Sequence, residues 1–263
     1  MNFQQKQNYG FEDLIEIMKI LRSPEGCPWD REQNHKSIRQ NFIEETYEAI
    51  EAIDNDDKEL LKEELGDVLL QVVFHSEMES ETGSFNINDV CDGVCKKLII
   101  RHPHIFADIK ADTAEEVLKN WDNIKMKTKS QKSQSDAMDS VSKTLPSLIR
   151  SEKLQKKAAK VGFDWPDVNG ALQKVEEETQ ELKNAIKEGN KENMADELGD
   201  LLFSVVNVSR FIKVDSEEAL YHACDKFTNR FRMVENLANE RGIDMEFATL
   251  EQLDSLWDEV KNF

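Results

Sequence analysis

"FIEETYEAIEAIDNDDKELLKEELGDVLLQVVFHSEM" (Phe42–Met78) and "VEEETQELKNAIKEGNKENMADELGDLLFSVVNVSRF" (Val175–Phe211) align without a gap at a constant offset of 133, with sixteen of thirty-seven positions identical. Self-similarity on this scale marks one structural unit used twice. The likeness continues past a small gap, "KLIIR" (Lys97–Arg101) resembling "KFTNR" (Lys226–Arg230), and again where "WDNIK" (Trp121–Lys125) resembles "WDEVK" (Trp257–Lys261). Two tandem modules are expected, over residues 1–125 and 141–263. Between them "MKTKSQKSQSDAMDS" (Met126–Ser140) is rich in Lys, Ser and Gln, which is linker composition. Its lysines read as solvated side chains rather than as a nucleic-acid patch.

Each module reads as helices. Val175, Leu182 and Ile186 form one apolar stripe at helical spacing, and Leu198, Leu201, Leu202, Val205 and Val208 form a second. Between the stripes, Gly189 and Asn190 supply a helix stop and a short connection, so the two helices should pack antiparallel. Glu, Lys, Leu and Asp dominate the 263 residues and β-branched runs are short, so an all-α fold is expected and a parallel sheet is not.

The formal net charge of −19 would repel a nucleic-acid backbone, so no nucleic-acid partner is expected. A small phosphorylated ligand fits such a chain when metal ions bridge it. The opening "MNFQQKQNYGFEDLIEIM" lacks a basic segment followed by an apolar core, and no run is long enough to span a bilayer. A cytoplasmic, reduced protein with no membrane partner is the expectation, and Cys27, Cys91, Cys95 and Cys224 read as buried free thiols rather than a zinc site.

Against this background the acids of the hairpin stand out. Glu178 and Glu181 are three residues apart on the first helix, and Glu197 and Asp200 are three apart on the second. That spacing points each pair from one helix face, and an antiparallel hairpin brings pair to pair. Four carboxylates held together repel one another unless a cation lies between them. Single pairs of this kind usually mark a solvated face. Here, however, Glu197 and Asp200 open a run so apolar that the helix should be largely buried, and the same four acids recur as Glu45, Glu48, Glu64 and Asp67. Hard divalent cations take oxygen ligands, and Mg2+ keeps positions for substrate phosphates, so a Mg2+ site with room for a polyphosphate follows.

Candidate phosphate-facing residues are Lys226 and Arg230, four apart, with Trp257 and Lys261 at the same spacing and Lys174 one turn before Glu178. Their first-module counterparts are Lys97, Arg101, Trp121 and Lys125, while Asn41 stands where a lysine would match Lys174. His102 and His104 flank the helix-breaking Pro103 and read as structural. "GCPWD" reads as a turn, with Trp29 a packing anchor.

The E-x-x-E pair followed by E-L-G-D resembles the metal motif of the MazG nucleoside triphosphate pyrophosphohydrolases. "LRSPEGCPWDREQNHKS" (Leu21–Ser37), "RHPHIFAD" (Arg101–Asp108) and "KVGFDWPD" (Lys160–Asp167) are also similar to family sequences, so the likeness covers nearly the whole chain. The carboxylate motif alone is shared with all-α dUTPases and phosphoribosyl-ATP pyrophosphohydrolases. The resemblance implies an all-α fold of two tandem modules and four-helix-bundle active sites completed by homodimerisation. It further implies Mg2+-dependent hydrolysis of nucleoside triphosphates, ATP among them, to monophosphate and diphosphate over a broad nucleotide range. It makes Glu178, Glu181, Glu197 and Asp200 the metal ligands and catalytic acids. Lys226, Arg230, Trp257 and Lys261 match positions associated with the nucleotide, and the second module carries the activity. The first module keeps all four acids and lacks only the lysine. Two rival readings are a non-catalytic acidic helical protein that docks a basic partner, and an enzyme restricted to dUTP or a damaged nucleotide. In a bottom-up reading the hairpin's remaining apolar surface could be covered by the other module or by a second chain.

Overall fold

A computed structural model describes residues 3–107, 113, 124 and 134–261, and no strand is present among them. The chain divides into two compact units, Met1–Lys125 and Met126–Phe263. Trp121 and Lys125 lie outside the described residues.

The first unit contains α1 (Phe11–Arg22), α2 (Pro28–Glu32), α3 (Arg39–Asp54), α4 (Lys58–Thr82), α5 (Ile87–Arg101) and α6 (Pro103–Phe106). Helices α3 and α4 form the antiparallel hairpin, and α1 packs across α4. The core between them is Ile15, Met18, Ile38, Val73, Phe74, Met78 and Ile87. Removing these side chains from water is what holds so acidic a chain compact. Arg22 ties the corner together. Its guanidinium donates to both Glu81 oxygens at 2.5 and 2.8 Å and to the Asp30 carbonyl at 2.5 Å, and it lies over the Phe74 ring.

The second unit contains α7 (Gln134–Asp139), α8 (Ser147–Ala159), α9 (Val168–Glu188), α10 (Lys191–Ile212), α11 (Ser216–Glu240) and α12 (Leu250–Lys261). Here α9 and α10 form the hairpin, α8 packs on α10, and α12 packs on α11. A second core joins α11 to α12 through Val234, Ala238, Leu256 and Val260.

The two hairpins turn by the same device. Gly189 closes α9 at φ +75°, and the Asn190 side chain then accepts from the backbone N–H groups of Glu192 and Asn193 to start α10. In the first unit Asp56 takes the left-handed position at φ +52°, and Asp57 caps α4 by accepting from Glu59 and Leu60. Asp and Asn tolerate that conformation better than other residues with side chains, so the turn survives without a glycine. The caps satisfy backbone donors that a helix start otherwise leaves unpaired.

Several expectations are corrected. The stretch read as linker ends in a helix, α7, whose Ala137 is buried. "GCPWD" opens α2, because Pro28 at the first helical position costs no hydrogen bond. Trp29 is 58% exposed rather than buried as a packing anchor. None of the four cysteines is fully buried: Cys27 and Cys91 are partly buried, and Cys95 and Cys224 are exposed. His102 does cap the end of α5, its Nδ1 2.7 Å from the Leu98 carbonyl. The largest correction concerns α10. Leu198, Leu202, Phe203 and Val205 are between 41% and 51% exposed, because the helix turns Ser204 and Val206 inward and leaves the other stripe outside. A Cβ at Gly199 would meet nothing within 4 Å among the described residues.

His75 on α4 stacks on His35 with Nδ1 atoms 2.7 Å apart, while His35 Nε2 lies 2.7 Å from Glu79 Oε1. Burial, then the neighbouring His35, pushes the His75 imidazole below its ordinary 6.5. A folded-state value below the unfolded one means that this contribution to stability is complete above pH 6.5 and is lost as pH falls below it. Chemical denaturation should therefore show wild-type protein losing more stability between pH 7.5 and 5.5 than His75→Phe. Parallel losses would remove the histidine from the account.

Candidate functional site

Nothing about the local sequence of α9 or α10 is unusual except where its acids fall. On α9, Glu178 follows Ala171 by seven residues and precedes Ala185 by seven, so the helical repeat puts it on the buried row, and it is 3% exposed. Both alanines on that row are buried, which lets α10 approach closely. The capped turn at Asn190 then brings Glu197 and Asp200 opposite Glu178.

Carboxylate oxygens of Glu178, Glu197 and Asp200 all lie within 4.8 Å of one another, and a second such group is Glu177, Glu178 and Glu181. Glu178 is common to both. One of its oxygens, Oε1, is 2.5 Å from Lys174 Nζ; the other, Oε2, is fully buried and has no hydrogen-bond partner. A buried carboxylate oxygen without a donor is costly. The ligand atoms that Glu178, Glu197 and Asp200 offer here are all carboxylate oxygens, which is the donor set of a hard divalent cation. The residues therefore fit the metal implied by the acid pattern.

The electrostatics agree. Burial, followed by the neighbouring Glu178 and Glu197, pushes the Glu181 carboxyl above its usual range, and Lys174 offsets part of that rise. Lys174 Nζ is 2.7 Å from Glu177 Oε1 as well as 2.5 Å from Glu178. Its ammonium is held above the ordinary lysine value by hydrogen bonds to Glu177 and then Glu178.

The first unit builds the same cluster from α3 and α4. Oxygens of Glu45, Glu48 and Glu64 lie within 4.8 Å of one another. Glu64 is buried. Burial first, and then the charges of Asp67, Glu48 and Glu64, raise the Glu45 carboxyl; burial, Glu48 and Asp67 do the same to Glu64. Asp67 thus acts within the group although it lies outside the closest set.

Of the sequence-proposed residues, Glu178, Glu181, Glu197 and Asp200 are brought together, as are Glu45, Glu48, Glu64 and Asp67. Lys174 joins its quartet directly. Lys226 and Arg230 lie on α11, and Trp257 and Lys261 on α12, where the Trp257 ring tilts against Phe227 at 5.2 Å. Trp257 is also half-buried against the α11–α12 core, and Lys261 pairs with Asp258 at 2.9 Å. Among the described residues no ion pair joins these four to the acids. Lys97 and Arg101 lie near the end of α5. The residue that sequence reasoning missed is Glu177. Its repeat counterpart Glu44 is identical and equally placed in the alignment, and that identity was the available signal.

Comparison with known proteins bears on the same segments. The sequence matches the MazG nucleotide pyrophosphohydrolase domain over residues 33–106 and again over 168–234, which are the two acid-bearing hairpins with their following helices. It is 45% identical, over 95% of both chains, to the nucleoside triphosphate pyrophosphohydrolase/pyrophosphatase MazG of Thermotoga maritima. It is 43% identical to the nucleoside triphosphate pyrophosphohydrolase of Escherichia coli K12, covering 94% of this chain and 95% of that one. A Bacillus subtilis protein, YabN, is 48% identical over 95% of this chain, which corresponds to 51% of that longer protein.

Proposed function

The chain belongs to the MazG nucleotide pyrophosphohydrolase family, and on that premise we propose that it hydrolyses nucleoside triphosphates to the monophosphate and diphosphate at the α9–α10 quartet. The observation that carries the reading is Glu178, buried at the centre of two carboxylate groups with one oxygen unpaired. A divalent cation, Mg2+ in this reading, supplies Lewis acidity toward phosphate oxygens and water when bound. Glu178, Glu181, Glu197 and Asp200 hold it. A carboxylate of the same group accepts the proton of the attacking water. Lys226 and Arg230, four apart on α11, neutralise charge on the departing diphosphate, and Trp257 and Lys261 contact the nucleotide. An aromatic face held by apolar packing reads no base edge, which suits a broad nucleotide range.

The catalytic module in this account is residues 141–263. The first module holds a cation through Glu45, Glu48, Glu64 and Asp67, with Lys97, Arg101, Trp121 and Lys125 as its phosphate-side counterparts, but Asn41 leaves it without a partner for Lys174. The apolar stripe of Leu198, Leu202 and Val205 begins between the metal-binding acids and is exposed in the single chain. A second copy of the chain covering that stripe completes a four-helix bundle. No helix among the described residues is long and apolar enough to cross a membrane.

Glu197→Gln and Asp200→Asn should each lower Mg2+-dependent diphosphate release by about 100-fold or more, with circular dichroism unchanged. Turnover within a few-fold of wild type would overturn the site. The bundle reading expects sedimentation equilibrium to give a dimer at micromolar concentration, and a fully active monomer would contradict it.

A further inference from the structure

The two acid clusters solve the same electrostatic problem differently. In the first unit Asn41 stands at the position of Lys174 and brings no positive charge to the acids. In the second, Lys174 reaches across one turn to Glu178 and Glu177 at 2.5 and 2.7 Å. The pair is half sheltered: the Glu178 side chain is 4% exposed and that of Lys174 is 36% exposed. A buried carboxylate is destabilising without a positive partner, so this contact matters to the hairpin before any cation arrives.

We infer that Lys174 is a resident counter-ion of the second cage, neutralising Glu178 until an entering divalent cation displaces it. The inference rests on the metal-cage reading above and goes beyond it by assigning the lysine a role in the metal-free protein. The ammonium carries one charge and engages Oε1 alone, leaving Oε2 of Glu178 buried and unpaired on the same carboxylate. Glu197 and Asp200 lie within 4.8 Å of that residue's oxygens and gain no ion pair from the lysine. A dication carries twice the charge and can draw oxygens from all three residues. The lysine is therefore strong enough to hold the empty cage and too poorly matched to keep a divalent cation out. Once displaced, its ammonium stands one helical turn from the cage, where a phosphate oxygen can take the place of the carboxylate. Cation loading and the freeing of a phosphate-binding charge become one event. Asn41 cannot do this in the first unit.

The test is Mn2+ binding to the full chain, followed by electron paramagnetic resonance, alongside thermal unfolding in chelator and in saturating Mn2+. Lys174→Gln removes the competitor, so Mn2+ affinity at one class of site should rise by about tenfold, the scale of one partly screened ion pair. The same variant should melt lower than wild type in chelator, and Mn2+ should restore it. Lys174→Arg, which keeps the charge, should bind no more tightly than wild type. Unchanged or weaker Mn2+ binding by Lys174→Gln, or tighter binding by Lys174→Arg, would overturn the inference. So would a Lys174→Gln protein unfolded in both chelator and Mn2+, since the lysine would then be a fixed structural partner. Absence of Mn2+ binding by the wild-type protein is a separate result that removes the metal cage itself.

Discussion

Like charges facing each other across two packed helices are the constraint on which this structure turns. Glu178, Glu197 and Asp200 are held within 4.8 Å by a hairpin whose turn is capped and whose facing row is alanine. Packing of this kind pulls the helices together, and the acids push them apart. Positive charge between the carboxylates relieves the opposition: Lys174 supplies part of it, and in the proposed function a divalent cation would supply the rest. In that proposal the ion would become part of the fold, and binding and structural order would be coupled.

The same hairpins leave apolar rows outside. Leu65 and Leu69 on α4 and Leu198, Leu202 and Val205 on α10 are exposed, in each case beginning at the leucine that follows the E of the acid motif. Apolar contact beside the carboxylates would exclude water, lower the local dielectric and strengthen each charge interaction at the cage. The open space around Gly66 and Gly199 belongs to the same picture, since nothing among the described residues fills it.

The fold was legible because the repeat made it so. One helical stripe is weak, but two copies at a fixed offset point to one helical unit used twice. The quartet was legible for the same reason, whereas Lys174 reads from the sequence as a phosphate-facing residue and its contact with Glu178 comes from the structure. Burial was harder to read. An apolar run signals only that a surface avoids water, not whether its own chain or another covers it, and so α10 was expected inside and is half outside. Trp29 misled in the same way, because residue type alone carries no information on its neighbours. Glu177 was passed over since it sits beside a residue whose face was already assigned, and one side chain of its length can swing across to the adjacent group.

The central claim is that a divalent cation completes the α9–α10 hairpin, and backbone amide hydrogen exchange measured with and without Mg2+ addresses it most directly. The account predicts slower exchange along Val175–Glu181 and Met194–Asp200 on adding Mg2+, with α12 unaffected. Exchange that is unchanged across the hairpin at saturating Mg2+ would contradict it.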